Sequence, residues 1–151
     1  MKTAITKVIE WDMGHRIPNH NSKCRNLHGH RYRLEATISG SLCSKEGDSS
    51  QGMVFDFGDL KKLMMTRIHD LLDHNFMWYE KDEIYWSIES VLKKQNQRVI
   101  LVGFIPTAEN ICRWIYDEMS GYEIFNKDIV LEKIKLFETP NSWAEYYRVS
   151  R

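Results

Sequence analysis

The sequence predicts an α+β domain built on an antiparallel sheet. Three observations predict it. Residues 4–14 and 28–40 alternate apolar and polar side chains with period two. A similar pair, Asp128 to Glu138 and Ser142 to Val149, recurs near the C-terminal end. Between the pairs lie stretches whose apolar residues keep helical spacing. The order is strand, strand, helix, insert, helix, strand, strand, and hairpins flanking helices are the pattern of an α+β domain. At 151 residues the chain is expected to form one domain, 1–151, long enough for a real core.

In the first strand the odd positions Ile5, Ile9, Trp11 and Met13 are apolar, and His15 ends the same face. In the second, His28, His30, Tyr32, Leu34, Ala36 and Ile38 share one face, while Arg31, Arg33, Glu35, Thr37 and Ser39 share the other. The polar loop 16–27 between them holds Pro18, His20 and Cys24, and Gly40 closes the second strand. Residues 41–51, rich in Ser, Gly and charge, read as an exposed turn, and Gly52 to Phe55 as a short strand. Asp56 to His74 reads as a helix with Leu60, Leu63, Met64, Ile68, Leu71 and Leu72 as its core stripe. Asp56 or Asp59 is the expected cap.

Residues 76–105 are less regular. Ile84, Ile88, Val91 and Leu92 suggest a helix from Glu83 to Lys94, and Arg98 to Val102 a strand. A second main helix begins at Pro106-Thr-Ala-Glu109. Thr107 is its N-cap, Ile111, Trp114, Ile115 and Met119 its buried stripe, and Gly121 its end. On the last long strand Glu138 follows Ile134 and Leu136 on the buried face. A carboxylate there needs a partner, and a ligand with two parallel N–H groups suits it.

The chemistry concentrates between His15 and His30, which holds four of the six histidines. His15, His28 and His30 all fall on apolar faces and are expected to converge at one edge of a hairpin. Three imidazoles with a fourth position open are the arrangement of a catalytic zinc ion. His20 lies in a polar loop with no strand to aim it and reads as a surface residue. Cys24 lies four residues before His28, between Lys23 and Arg25. As thiolate it is either a base or nucleophile beside the ion or a fourth ligand that closes the site. Cys43 and Cys112, in a turn and a helix, read as incidental. Asp73-His74 sets a histidine beside a carboxylate, a weak signal unless His74 reaches the metal pocket.

The net charge is zero, with 21 basic and 21 acidic side chains, which argues against a nucleic-acid or membrane-surface protein. No apolar run reaches the roughly 18 residues of a membrane span. The N-terminus runs straight into a strand pattern without a leader, and three dissimilar cysteines are no disulfide framework. A reducing cytoplasm is the expected location. No zinc-protease His-Glu-x-x-His, no phosphate-binding glycine loop and no Cys-x-x-Cys occurs.

Taken together, Cys24-Arg-Asn-Leu-His28-Gly-His30, the upstream His15, Asp73-His74, Pro106-Thr-Ala-Glu-Asn110 and Glu138-Thr resemble the 6-pyruvoyltetrahydropterin synthase family. The three-residue gap between Cys24 and His28 is most similar to its queuosine-pathway branch, 6-carboxytetrahydropterin synthase. The resemblance runs from about Lys7 to Tyr146, apart from roughly 76–104. It implies a tunnelling fold: a four-stranded antiparallel sheet with two main helices on one face, trimers closing barrels, and two barrels stacked into a homohexamer with active sites between subunits. It implies 7,8-dihydroneopterin triphosphate as substrate, with 6-carboxy-5,6,7,8-tetrahydropterin, acetaldehyde and triphosphate as products. It further implies Zn2+ on His15, His28 and His30 as Lewis acid toward the substrate's hydroxyl oxygens. Cys24 is then the base, and Asp73 with His74 a proton-relay pair. Glu138 anchors the pterin, with Thr107 and Glu109 completing its pocket. Lys23, Arg25 and Arg31 are phosphate candidates by proximity alone. The alternatives are the pyruvoyl branch, whose product keeps its side chain, and a non-catalytic zinc-dependent assembly module closed by Cys24.

Overall fold

The computed structural model describes residues 1–148. Strands β1 (Thr3–His15) and β2 (His28–Gly40) form the long hairpin that the alternation predicts, in a register pairing Trp11 with Tyr32, Met13 with His30 and His15 with His28. Strand β5 (Ile129–Thr139) lies antiparallel to β2, and β6 (Ser142–Tyr147) antiparallel to β5. Val149, the predicted end of β6, lies outside the described residues, as does the end of the predicted domain. A register shift between Thr37 and Ile38 marks a bulge against β5.

The predicted helix from Asp56 is present but not uniform. Helix α1 (Phe57–Met64) is capped by Asp56, whose carboxylate accepts the backbone N–H groups of Gly58 and Asp59. It continues as a π-helical turn, Met65–His69, then a short α2, Asp70–Leu72. The turn has a packing reason. Leu60, Met64, Ile68 and Leu72 are all fully buried, a strict spacing of four. An α-helix drifts about 40° every four residues at that spacing, and the wider π turn takes up the drift. Leu71, expected on the core stripe, is instead 42% exposed. Helix α4 (Ala108–Ser120) has the expected bounds and cap, the Thr107 hydroxyl accepting the Asn110 N–H; Ile111, Ile115 and Met119 are buried as expected, but Cys112 joins them and Trp114 is only half-buried. Both helical stretches pack on the β1, β2 and β5 face bearing Trp11, Tyr32, Leu34, Ile134 and Leu136.

Two expectations are corrected. Among the described residues the sheet has six strands, in the order β4-β3-β1-β2-β5-β6, not four. The insert supplies the extra pair: β3 (Asn75–Tyr79) runs parallel to β1 over Met13–His15, and β4 (Val99–Val102) runs parallel to β3. Between them lies α3 (Glu83–Lys94), with the predicted bounds. It does not share the face of the two main helices. Met77 of β3 joins their core, whereas Trp78 points the other way and contacts Tyr85 of α3, ring centres 5.7 Å apart. Gly52 to Phe55 is not a strand: Gly52 has φ +82°, and it and Met53 exchange backbone hydrogen bonds with Cys43 in a closed turn.

Candidate metal centre

The antiparallel register that pairs His15 with His28 across the hairpin end also sets His30 two residues on, facing the same way. The three rings meet. Their centres lie 4.6 Å (His15–His28), 5.2 Å (His15–His30) and 5.1 Å (His28–His30) apart. One ligand atom from each lies within 4.8 Å of the other two, so this group could hold a metal ion.

The surroundings fit that reading. The Nδ1–H of His15 donates to the Pro106 carbonyl at 2.7 Å, and that of His28 to the Asn26 carbonyl at 2.7 Å. Each bond fixes the tautomer and leaves Nε2 as the lone-pair donor, the arrangement metal-ligating histidines adopt. The Nε2 of His30 is buried with no hydrogen-bond partner among the described residues, an atom a cation would satisfy. Burial, then the facing His28 and His30 rings, outweigh the Pro106 bond and bring the His15 pKa down to about 4. Burial and His28 likewise lower His30. Both rings are therefore neutral and ready as ligands at neutral pH.

The Tyr32 hydroxyl lies 3.3 Å from both ring nitrogens of His15, and burial raises its pKa, keeping it protonated. Beside the rings, Glu138 carries its carboxylate 3.8 Å from His15 Nε2 and 3.7 Å from His30 Nε2. Burial raises its pKa, with His28 acting against and Glu109 with the shift. Thr107, Glu109 and Glu138 line one cleft of about 350 Å³, together with His20, Ser142 and Trp143.

The sequence model described as 6-pyruvoyl tetrahydropterin synthase matches residues 4–149. This chain belongs to the 6-pyruvoyl tetrahydropterin synthase family. It is 39% identical to the 6-carboxy-5,6,7,8-tetrahydropterin synthase of Haemophilus influenzae over 142 residues, covering 94% of this chain and 96% of that one. It is 31% identical to the enzyme of the same name from Aquifex aeolicus, covering 97% and 98%. The fold is similar to that of an uncharacterised Wolinella succinogenes protein, with TM-score 0.81 at 20% identity over 99% of both chains. It is also similar to that of the Caenorhabditis elegans 6-pyruvoyl tetrahydropterin synthase, with TM-score 0.67 at 22% identity over 99% and 97%. The chain is thus an enzyme of a lyase family, similar to 6-carboxytetrahydropterin synthases.

Other family-motif residues lie outside the imidazole group. Cys24 sits half-buried in a single 3-10 turn, Lys23–Arg25, whose Cys24 carbonyl accepts the Ile17 N–H at 2.9 Å. Among the described residues no sulfur joins the three histidines. Asp73 and His74 do pair: His74 Nδ1 donates to the Asp73 carboxylate at 2.8 Å, and the Asp12 backbone N–H donates to the other oxygen at 3.1 Å. Burial raises the Asp73 pKa, but the Asp12 N–H and the His74 bond outweigh it and the net shift is downward. His74 adopts φ +55°, unusual for a side chain of its size, and its own N–H donates to the Asp12 carbonyl at 2.8 Å. It lines a cleft of about 670 Å³ that also has His30, Gly14 and Arg98 on its walls. Arg31, a phosphate candidate, is already held by Asp12 at 3.0 Å and Glu10 at 3.3 Å.

Sequence reasoning missed four contributors. The Pro106 and Asn26 carbonyls carry no side-chain signal. Tyr32 sits two residues beyond His30 on the same face, a signal available but read as core. His20 is exposed, as expected, yet stands on the wall of the Glu138 cleft.

Proposed function

We propose that the protein is a zinc-dependent lyase that converts 7,8-dihydroneopterin triphosphate to 6-carboxy-5,6,7,8-tetrahydropterin, releasing acetaldehyde and triphosphate, in queuosine and other 7-deazaguanine biosynthesis. The observation that carries it is the three-imidazole cluster in a chain 39% identical to an enzyme so named. Three neutral nitrogens with room for a further ligand suit Zn2+. His15, His28 and His30 would hold the ion, which when bound supplies a Lewis acid toward substrate oxygens.

The chain's own residues do the rest. Cys24, as thiolate, removes the proton from the substrate side chain. His74 accepts or delivers the second proton, and the Asp73 carboxylate, anchored on the Asp12 N–H, fixes its tautomer and offsets the charge of the ring. Glu138 binds the ring N–H and amino group of the pterin as a bidentate pair. Its partial burial supports this role, because a carboxylate raised by desolvation gains most from such donors. Glu109 lines the same cleft, and the Thr107 hydroxyl, which only accepts in its cap, keeps a proton to donate there. That no sulfur joins the imidazole group favours Cys24 as base over Cys24 as ligand. In the proposed hexamer the sites lie between subunits.

The test is incubation of purified zinc-loaded protein with 7,8-dihydroneopterin triphosphate. Acetaldehyde and triphosphate in equal amounts support the reading. A product that keeps its side chain assigns the pyruvoyl reaction instead, and an inert protein returns the chain to a zinc-dependent assembly role.

A further inference from the structure

Arg16 immediately follows His15, and its side chain turns inward. The residue is 9% exposed, and its Nε lies 3.2 Å from Oδ2 of Asp82, itself 3% exposed. Asp82 belongs to the insert. It closes the turn after β3 through its N–H to the Tyr79 carbonyl at 2.9 Å, and its Oδ1 caps α3 by accepting the Ile84 N–H at 3.0 Å. The pair makes no linear hydrogen bond, and Nη1 of Arg16 has no partner among the described residues. Burying two charges this way is expensive, and a well-packed apolar pair commonly serves stability better. Its value must therefore lie in what it joins.

It joins the inserted unit to the metal strand. His15 is flanked on both sides, by His28 across the hairpin and by Met77 in the parallel pairing. That parallel pairing covers only Met13–His15. The short ladder, Met77 in the main core, the Phe76 ring against Gly14 and the ion pair one residue beyond the ladder all seat β3 against the end of β1. Arg16 also opens the loop that returns Cys24, through the Ile17 to Cys24 bond.

We infer that Asp82 is a positioning residue: through its buried pair with Arg16, the inserted β3-α3-β4 unit sets the pose of His15 and so the metal affinity of the three-histidine centre. The inference rests on the metal reading above. Asp82→Asn keeps the helix cap, since Asn caps as well as Asp, but leaves Arg16 as an unpaired buried cation. Arg16→Met/Asp82→Asn removes both charges while keeping side-chain length. Four full-length proteins are compared: wild type, the two variants and His28→Ala. Zinc affinity is measured by competition with a chromogenic chelator, the site geometry by the visible spectrum of the cobalt-loaded form, and folding by thermal melting.

The expected result is a split. Asp82→Asn lowers both the melting temperature and zinc affinity, the latter about tenfold or more, the low end of what losing a direct partner of a metal-bound histidine costs. The double variant melts like wild type, yet its zinc affinity stays at least tenfold weak and its cobalt spectrum stays altered. A double variant within twofold of wild type in affinity, with an unchanged spectrum, overturns the inference and leaves the pair a folding contact. The double variant decides the matter even if Asp82→Asn fails to fold. A wild-type protein that takes up no zinc or cobalt, or a His28→Ala protein that binds them undiminished, sinks the metal reading itself and the inference with it.

Discussion

At the scale of single residues, burial separates the histidines and cysteines into different kinds of group. His15 is fully buried with a partner fixed on Nδ1, so its other nitrogen is left to a cation, with the Tyr32 hydroxyl at 3.3 Å and the Glu138 carboxylate at 3.8 Å beside it. His28→Ala removes one of three ligands. It is expected to abolish zinc binding and turnover in a chain that still folds, read by metal content and circular dichroism. Cys24→Ala is expected to keep zinc and lose turnover by at least 100-fold, the scale of a missing general base. Collapse of zinc affinity along with turnover would instead make the sulfur a ligand. Cys112 is fully buried under β5 and β6, and burial pushes its thiol from 9.0 up to about 11. Its folded pKa is raised, so between those values the native state holds a proton that the unfolded chain has lost. Stability is then present below pH 9 and falls as pH rises toward 11, by up to about 3 kcal/mol. Melting curves at pH 8 and pH 10.5 test this, because Cys112→Ala should show a smaller drop than wild type.

Elements were legible where one face met the core and illegible where both did. The β1-β2 hairpin alternates because its other face is polar, and its three histidines could be placed from spacing alone. Asn75-Phe-Met-Trp-Tyr79 shows no alternation, because Met77 packs on the main core and Trp78 on α3, so no period marked it as a strand. The helix of the insert was readable to the residue, but the face it covers was not, since that depends on which strand edge the chain returns to. The π turn was invisible for a related reason: only the partner surface demands a spacing of four. The joint between β1 and β3 is open to direct perturbation. A Cβ on Gly14 would run into the Phe76 ring. Gly14→Ala is expected to cost about 1–3 kcal/mol in urea unfolding, as overpacking does, and to weaken zinc through the neighbouring His15. An unchanged midpoint would mean that the ring moves aside freely.

At the scale of the whole molecule, both ends of the sheet are open among the described residues. β4 and β6 are edge strands, and long unpaired edges are templates for association. β1 pairs with β3 only over Met13–His15, which leaves the rest of that edge free as well. Trp143 and Tyr147 on β6 are 51% and 60% exposed, and Ile84, Trp86 and Val91 face outward on α3. The proposed hexamer predicts a light-scattering mass six times 18.0 kDa, and a stable 18.0 kDa species would contradict it. No helix among the described residues is long and apolar enough to cross a membrane. The central claim is narrower than the assembly: three imidazoles, and no thiolate, hold one zinc ion. Zinc-edge X-ray absorption of the loaded protein tests it most directly. Nitrogen and oxygen neighbours alone, at about 2.0–2.1 Å, are the predicted result, and a sulfur shell at about 2.3 Å would contradict it.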